Sequence, residues 1–253
     1  MEELQYQKNK HNKTILIMEK ILTELNLKLQ NNDAEEILAY FLGNFRNKIA
    51  LASSLSLEDQ VLTDMILKID HEAKIFTIDT GMLPFETYKL IDETRLFYNY
   101  KLEIYFPKHT NVQEMVNEKG VNLFYESVEN RKLCCYNRKV EPLKRAFNGL
   151  DAWICGLRKE QSITRRNLNI VEYDEGDKLY KVNPILDWTE EMLWDYVKGN
   201  NVPYNNLYKK NYLSIGCEPC TRAVKPGDDI RSGRWWWENP ETKECGLHLK
   251  REE

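Results

Sequence analysis

Short apolar runs alternate with stretches of helical periodicity through the middle of this chain, and that order limits the fold more than any other feature. NKIALASS is an apolar run ending in serines, and LEDQVLTDMILKI after it repeats its apolar residues at helical spacing. AKIFTID has the pattern of a second buried strand, followed by TGMLPFET and a further helix through Tyr98. KLEIYFP, DAWICGL and KLYKVNPI are further expected strands, with helical TNVQEMVNEKG, RKVEPLKRAF and WTEEMLWDYVKG between or after them. Strand then helix, repeated, predicts an α/β fold with a mostly parallel sheet and helices on both faces. Ligands of such sheets sit at the carboxyl ends of the strands. Upstream, KTILIMEKILTELNLKL and DAEEILAYFLGNF predict amphipathic helices packing outside the sheet. Beyond Gly199 the chain is rich in Pro, Gly, Asn, Trp and Tyr, so irregular loops and a charged tail are expected. The expected division is a helical extension over 1–44, an α/β domain over 45–230 and a C-terminal tail over 231–253.

Composition excludes several classes of function. With 253 residues, 42% hydrophobic and 30% charged, the chain can bury a full core without staples. Its formal charge of −4 offers no sequence-independent grip on a nucleic-acid backbone, so any anion must be met by a local pocket. No apolar run approaches the ~20 residues of a membrane span, and MEELQYQKNKHNK lacks the apolar stretch of a secretory signal. A cytoplasmic location is expected, where thiols stay reduced.

Two strand exits carry polar chemistry. Ser53, Ser54 and Ser56 lead straight into a helix, where hydroxyls and free backbone N–H groups suit a phosphate or sulfate or simply cap the helix. The turn lacks the Gly and Lys of a Walker loop. Asp79, Thr80 and Gly81 at the next exit can hydrogen-bond a ribose or adenine, or form a turn before the following helix.

Six cysteines constrain more. Cys134 and Cys135 are adjacent and expected to precede a helix, and SIGCEPC supplies Cys217 and Cys220 at CxxC spacing. Four thiolates from two pairs suit a tetrahedral zinc or a cubane iron-sulfur cluster. Adjacent side chains diverge by about 100° on a helix, which makes chelation of one small ion awkward. A cubane offers each thiolate a separate iron, so its wider footprint favours four-iron four-sulfur, with zinc left open. Cys155, in AWIC, reads as a buried small hydrophobe. Cys245 stands near the chain end in KECGLH, three residues before His248 and after RSGRWWWE. A thiolate there would be a strong nucleophile if Arg231, Arg234 and His248 lower its pKa against Glu244.

Taken together, the serine-rich exit, DTG, CC followed by RKVEP, QSITR, VPYNNLY, SIGCEPCTR, GRWWWE and KECGLH occur in one order. In that order they resemble the assimilatory adenylyl-sulfate reductases and their phosphoadenylyl-sulfate relatives. The resemblance runs from about Lys48 to His248. It implies an adenine-nucleotide alpha-hydrolase-like fold, with Cys134, Cys135, Cys217 and Cys220 as ligands of a 4Fe-4S cluster and Cys245 as the reacting thiol. It further implies that Arg158, Arg165, Arg231, Arg234 and His248 hold the phosphosulfate oxygens, with Lys139 between cluster and substrate. The bland reading of these cations is solvated surface charge, held for Arg158 more than for the others. Many family members carry Gly where this chain has Ser56 and Asn211.

The implied reaction is reduction of adenylyl sulfate to sulfite and AMP in assimilatory sulfate reduction. Cys245 would take the sulfuryl group as an S-sulfonate, and an external dithiol such as thioredoxin would release sulfite by thiol exchange. The same reaction on phosphoadenylyl sulfate, an adenylating enzyme of the ATP-pyrophosphatase type and a non-catalytic iron-sulfur sensor are the rivals. A homo-oligomer without nucleic-acid or membrane partners is expected.

Overall fold

A computed structural model describes residues 17–161 and 165–239. Six strands form one sheet in the order β3-β2-β1-β4-β6-β5. They are β1 (Ile49–Ser53), β2 (Lys74–Ile78), β3 (Glu103–Tyr105), β4 (Ala152–Ile154), β5 (Val171–Asp174) and β6 (Leu179–Val182). All neighbouring pairs are parallel except β5 with β6. The helices are α1 (residues 17–29), α2 (Ala34–Phe45), α3 (Leu57–Ile69), α4 (Phe85–Tyr98), α5 (His109–Lys119), α6 (Val128–Cys135), α7 (Glu141–Ala146) and α8 (Glu190–Asn200).

Strict alternation along each strand explains the two-faced cover. Ile49, Leu51, Ile75, Ala152 and Ile154 join one core with Leu38 and Phe41 of α2, Val61 and Leu62 of α3 and Leu193 of α8. Ala50, Phe76 and Trp153 point the other way, into a second core with Leu143 and Ala146 of α7 and Phe147. Strands buried on both sides need helices on both sides, which is the expected α/β architecture.

Asp33 caps α2 in a reciprocal box with Glu36, and Ser56 caps α3 by accepting from the Asp59 N–H at 3.3 Å. The N-terminal helices are stitched to the sheet. Asn26 on α1 donates to Val171 O at 2.8 Å and accepts from Val171 N at 3.0 Å, covering the edge of β5.

One feature departs from the expectations and one adds to them. β5 has no counterpart among the expected strands, because VEYD carries no apolar run and earns its place only by antiparallel pairing with β6. Cys134 and Cys135 precede helix as expected, and they also close a helix of their own, α6. The helix then continues through a π-helical segment, Tyr136–Val140, into α7. Pro142 lies at the start of α7, and its missing N–H and its ring disrupt the regular ladder one turn earlier, where the wider π turn accommodates them. Among the described residues, no helix is long and apolar enough to cross a membrane.

Candidate active site

The carboxyl ends of β1, β2 and β4 open into a cavity of about 260 Å³. Its floor is the serine-rich turn. Ser54 donates to Asp59 Oδ2 from both its N–H and its hydroxyl, each at 2.6 Å, and Gly156 N–H at the β4 exit donates to Asp59 Oδ1 at 3.2 Å. Burial raises the Asp59 carboxyl above its ordinary range, while these donors pull it back. One carboxylate thus welds two strand exits together. A Cβ on Gly156 would lie 2.6 Å from Asp59 Oδ1, so only glycine permits this approach. Leu55 sits in the left-handed region at φ 61°, where a branched side chain is strained, and its N–H donates to Ser53 Oγ at 3.2 Å.

Removing the Asp59 carboxylate should therefore unfold the floor before anything else. Asp59→Ala leaves the Ser54 N–H and hydroxyl and the Gly156 N–H without their acceptor, at about 1–3 kcal/mol for each buried orphan and less the relief of a buried charge. A net loss of about 3 kcal/mol is expected, seen as a fall in Tm of roughly 6–12 °C. A shift below about 2 °C would contradict the weld.

Basic side chains dominate the wall. Among the described lining residues there are seven Arg or Lys (Arg131, Arg138, Lys139, Arg158, Arg165, Arg231, Arg234) against three carboxylates (Glu58, Asp59, Glu190). Such an excess in a concave, partly desolvated site favours an anion.

The cations differ in how far they are already engaged. Arg158 is 3% exposed, which corrects its reading as solvated surface charge. Its Nε and Nη2 donate to Glu58 Oε1 at 3.1 and 3.0 Å, and Nη1 donates to Glu160 and to Trp188 O. Arg165 is buried and donates to Gln161, whose own amide donates to Glu58 at 2.8 Å. Arg138 reaches across to donate to Thr80 O at 2.8 Å. Arg234 donates to Ile215 O at 3.2 Å, with its guanidinium 4.7 Å from the Trp235 ring centroid.

Gly216 makes room for Arg234. A Cβ there would fall 2.3 Å from Nη2 and 2.5 Å from Cζ. Gly216→Ala should displace the guanidinium and weaken binding of inorganic sulfate about tenfold, the loss of one charge-assisted bond. Calorimetric titration checks this. In an Arg234→Ala background the glycine change should add nothing, because both act on one group.

The four cysteines meet in the same wall. Cys134 and Cys220 are buried, and Cys135 and Cys217 half-buried, in a small core with Met115, Phe124 and Trp235. Thr80 Oγ1 lies 3.2 Å from Cys217 Sγ. Burial is the main cause that pushes the Cys134 thiol up, opposed by the neighbouring Arg138, and burial followed by Cys217 pushes Cys220 up. Two buried donors beside these thiols, Arg138 Nε and Trp235 Nε1, have no hydrogen-bond partner among the described residues. Among the described residues, no group of three or more His, Cys, Asp or Glu side chains is arranged to hold a metal ion. Cys155 also lines the cavity, but it donates to Asn183 Oδ1 at 3.0 Å, and burial pushes its thiol up to about 12.

Of the residues singled out in the sequence, Ser53, Ser54, Ser56, Thr80, Lys139, Arg158, Arg165, Arg231, Arg234 and the four paired cysteines line the cavity. Asp79 and Gly81 do not. The Asp79 carboxylate accepts from Gly81 N–H at 2.7 Å and Tyr88 hydroxyl at 2.9 Å, so it shapes the turn that presents Thr80. Cys245 and His248 lie outside the described residues. Asn211 adopts φ 62°, a conformation that asparagine tolerates, and Ser56 has an extended backbone that needs no glycine. Arg131, Arg138, Glu58 and Asp59 were not singled out. The only sequence signals were the adjacency of Arg138 to Lys139 and the LED that opens α3.

A family model described as the phosphoadenosine phosphosulfate reductase domain matches residues 48–223. An adenosine 5'-phosphosulfate reductase of Burkholderia cepacia is 49% identical over 226 residues, covering 89% of each chain. That of Allochromatium vinosum is 49% identical over 204 residues, covering 81% of this chain and 80% of its own. A crystal structure of phosphoadenylyl-sulfate reductase from Candida auris, in a phosphate complex, matches with a TM-score of 0.70 at 30% identity, over 80% of this chain and 96% of that one. An FMN adenylyltransferase of Candida glabrata, 17% identical with a TM-score of 0.51 over 88% of this chain and 83% of that one, shares the adenine-nucleotide alpha-hydrolase-like fold.

Proposed function

The chain belongs to the phosphoadenosine phosphosulfate reductase family, and we propose that it reduces adenylyl sulfate to sulfite and AMP by way of Cys245. The observation that carries this reading is the cation-rich cavity at the strand ends, with two cysteine pairs in its wall. Adenylyl sulfate presents a phosphate joined to a sulfuryl group, and AMP is a good leaving group. The floor offers Ser53 and Ser54, and Lys139, Arg231 and Arg234 supply charge for oxygens that gain it in the transfer. The Cys245 thiolate attacks the sulfur, the S–O bond to AMP breaks, and a Cys–S–sulfonate remains. One thiolate of a reduced dithiol such as thioredoxin then attacks the Cys245 sulfur, expelling sulfite and leaving a mixed disulfide. Its second thiolate frees Cys245 and leaves as an oxidised disulfide, so the two electrons come from the partner.

We propose further that Cys134, Cys135, Cys217 and Cys220 hold a 4Fe-4S cluster. The donor set is four thiols on two segments, and Arg138 Nε and Trp235 Nε1, without a hydrogen-bond partner among the described residues, suit a group that brings acceptor atoms into this apolar wall. Held by these residues, the cluster would supply a fixed charge near Arg138, the neighbour of Cys134, and a cross-link between α6 and the CxxC turn.

Anaerobically handled protein mixed with adenylyl sulfate and no reductant should gain the mass of one sulfonate on Cys245. Thioredoxin should remove the adduct as sulfite forms. A chain that stays unmodified overturns the reading, and an adduct formed faster from phosphoadenylyl sulfate assigns that nucleotide as the substrate.

A further inference from the structure

Five backbone N–H groups on the floor of the cavity are already spent. Ser54 and Gly156 donate to Asp59, Leu55 to Ser53 Oγ at 3.2 Å, Asp59 to Ser56 Oγ at 3.3 Å and Leu57 to the Tyr208 hydroxyl at 3.0 Å. Three of these acceptors are hydroxyl oxygens, on Ser53, Ser56 and Tyr208, and all three residues line the cavity. A hydroxyl has one proton and two lone pairs. Each oxygen here accepts one backbone N–H, and among the described residues none of the three protons has an acceptor. Accepting a bond polarises the O–H and strengthens the bond it can give. An oxyanion, which only accepts, completes such a set.

Tyr208 reaches this floor from 151 residues downstream of Leu57, and its neighbours in VPYNNLY fix it there. Asn205 caps the short helical turn Asn206–Lys210 by accepting from Leu207 N–H at 3.0 Å, and its amide donates to Thr87 Oγ1 of α4 at 2.9 Å. Tyr208 N–H donates to Asn205 O, and Asn211 N–H donates to Tyr208 O, each at 3.1 Å. The Trp194 ring of α8 meets the Tyr208 ring edge-on, with 5.9 Å between centroids. Burial, followed by the nearby Glu58, pushes the Tyr208 hydroxyl above its ordinary range, so it stays protonated at neutral pH. Glu58 itself is held by Arg158 and Gln161.

We infer that Tyr208 is a further binding residue of this cavity: with Ser53 and Ser56 it supplies hydroxyl donors to the oxygens of a bound oxyanion of the sulfate and phosphate class. The inference deepens the proposed function and rests on it for the natural ligand, a nucleotide whose phosphate and sulfuryl group both present such oxygens. Arginines and lysines of the wall supply charge. Neutral hydroxyls held at fixed angles supply direction, because a hydrogen bond weakens steeply as it bends.

Tyr208→Phe removes the hydroxyl and keeps the ring against Trp194. Calorimetric titration with inorganic sulfate should show affinity falling about tenfold, the loss of one hydrogen bond to a charged acceptor. Tm falls in either case, because Leu57 N–H loses its acceptor, so stability does not decide the question. Hydrogen exchange at Ser54 and Gly156 does, since both amides donate to Asp59 and report whether the floor survives. A loss of that size with both amides still protected bears the inference out. Sulfate affinity within about threefold of the unaltered protein makes the hydroxyl a cap of α3 and nothing more, which overturns it. A loss accompanied by rapid exchange at Ser54 and Gly156 is collapse of the floor and overturns it as well, as does unaltered protein that binds no sulfate. Failure of the proposed reaction looks different: a Cys245→Ser chain that keeps releasing sulfite removes that reading and leaves both sulfate titrations unchanged.

Discussion

Cys245→Ser should bind AMP as the unaltered protein does and yet release sulfite roughly 10³-fold more slowly or not at all. A serine hydroxyl is almost wholly protonated at neutral pH, and an alcohol oxygen is a poorer nucleophile toward sulfur than a thiolate. The second step fails independently. Even a serine that accepted the sulfuryl group would hold it as a sulfate ester, which offers an incoming thiolate no sulfur of the enzyme to attack. The binding half of the result follows from the cavity, whose described cations and serine floor lie within residues 53–234 and lose nothing by the change. Sulfite assay paired with AMP titration checks both halves. Residual turnover near the unaltered rate would transfer the reaction to another group.

Cys220→Ser should remove the iron and the activity together. Cys220 is 7% exposed, its carbonyl accepts the Trp235 N–H, and its neighbour Thr221 pairs with Arg234. A hydroxyl in this apolar wall is a weak soft-metal ligand, so iron per chain should drop from about four to near zero. Without the cross-link that the proposed cluster would supply, α6 and the 235–238 segment remain joined through Arg131, which pairs with Glu238 and lies over Trp235. The 235–238 segment should then exchange its amides faster and Tm should fall. Iron analysis and exchange are both independent of turnover. Iron content unchanged by the substitution, or zinc in freshly isolated protein, would remove the four-cysteine assignment.

The chain's periodicity set out the layers in advance. NKIALASS, AKIFTID and DAWICGL read as buried strands because parallel strands are covered on both faces and so become continuous apolar runs, and they are β1, β2 and β4. VEYD was illegible for the opposite reason: an antiparallel edge strand needs only a partner, and its partner β6 lies downstream. Spacing likewise brought out both cysteine pairs, since CC and CxxC are local patterns. It could not tell that CC closes a helix, because the π turn beyond it comes from Pro142 acting on the ladder upstream.

What the sequence alone determined is the sheet with its two covering layers, the strand exits that form the cavity and the cysteines that enter its wall, because each is written in spacing along the chain. Which charges are free and which are spent was decided only by tertiary structure. Arg158 looked like a surface cation and is instead buried against Glu58, 100 residues away, and Arg131 meets Glu238 across 107. An ion pair of that kind has no local signature, since it is stable only where folding has removed water from both partners at once.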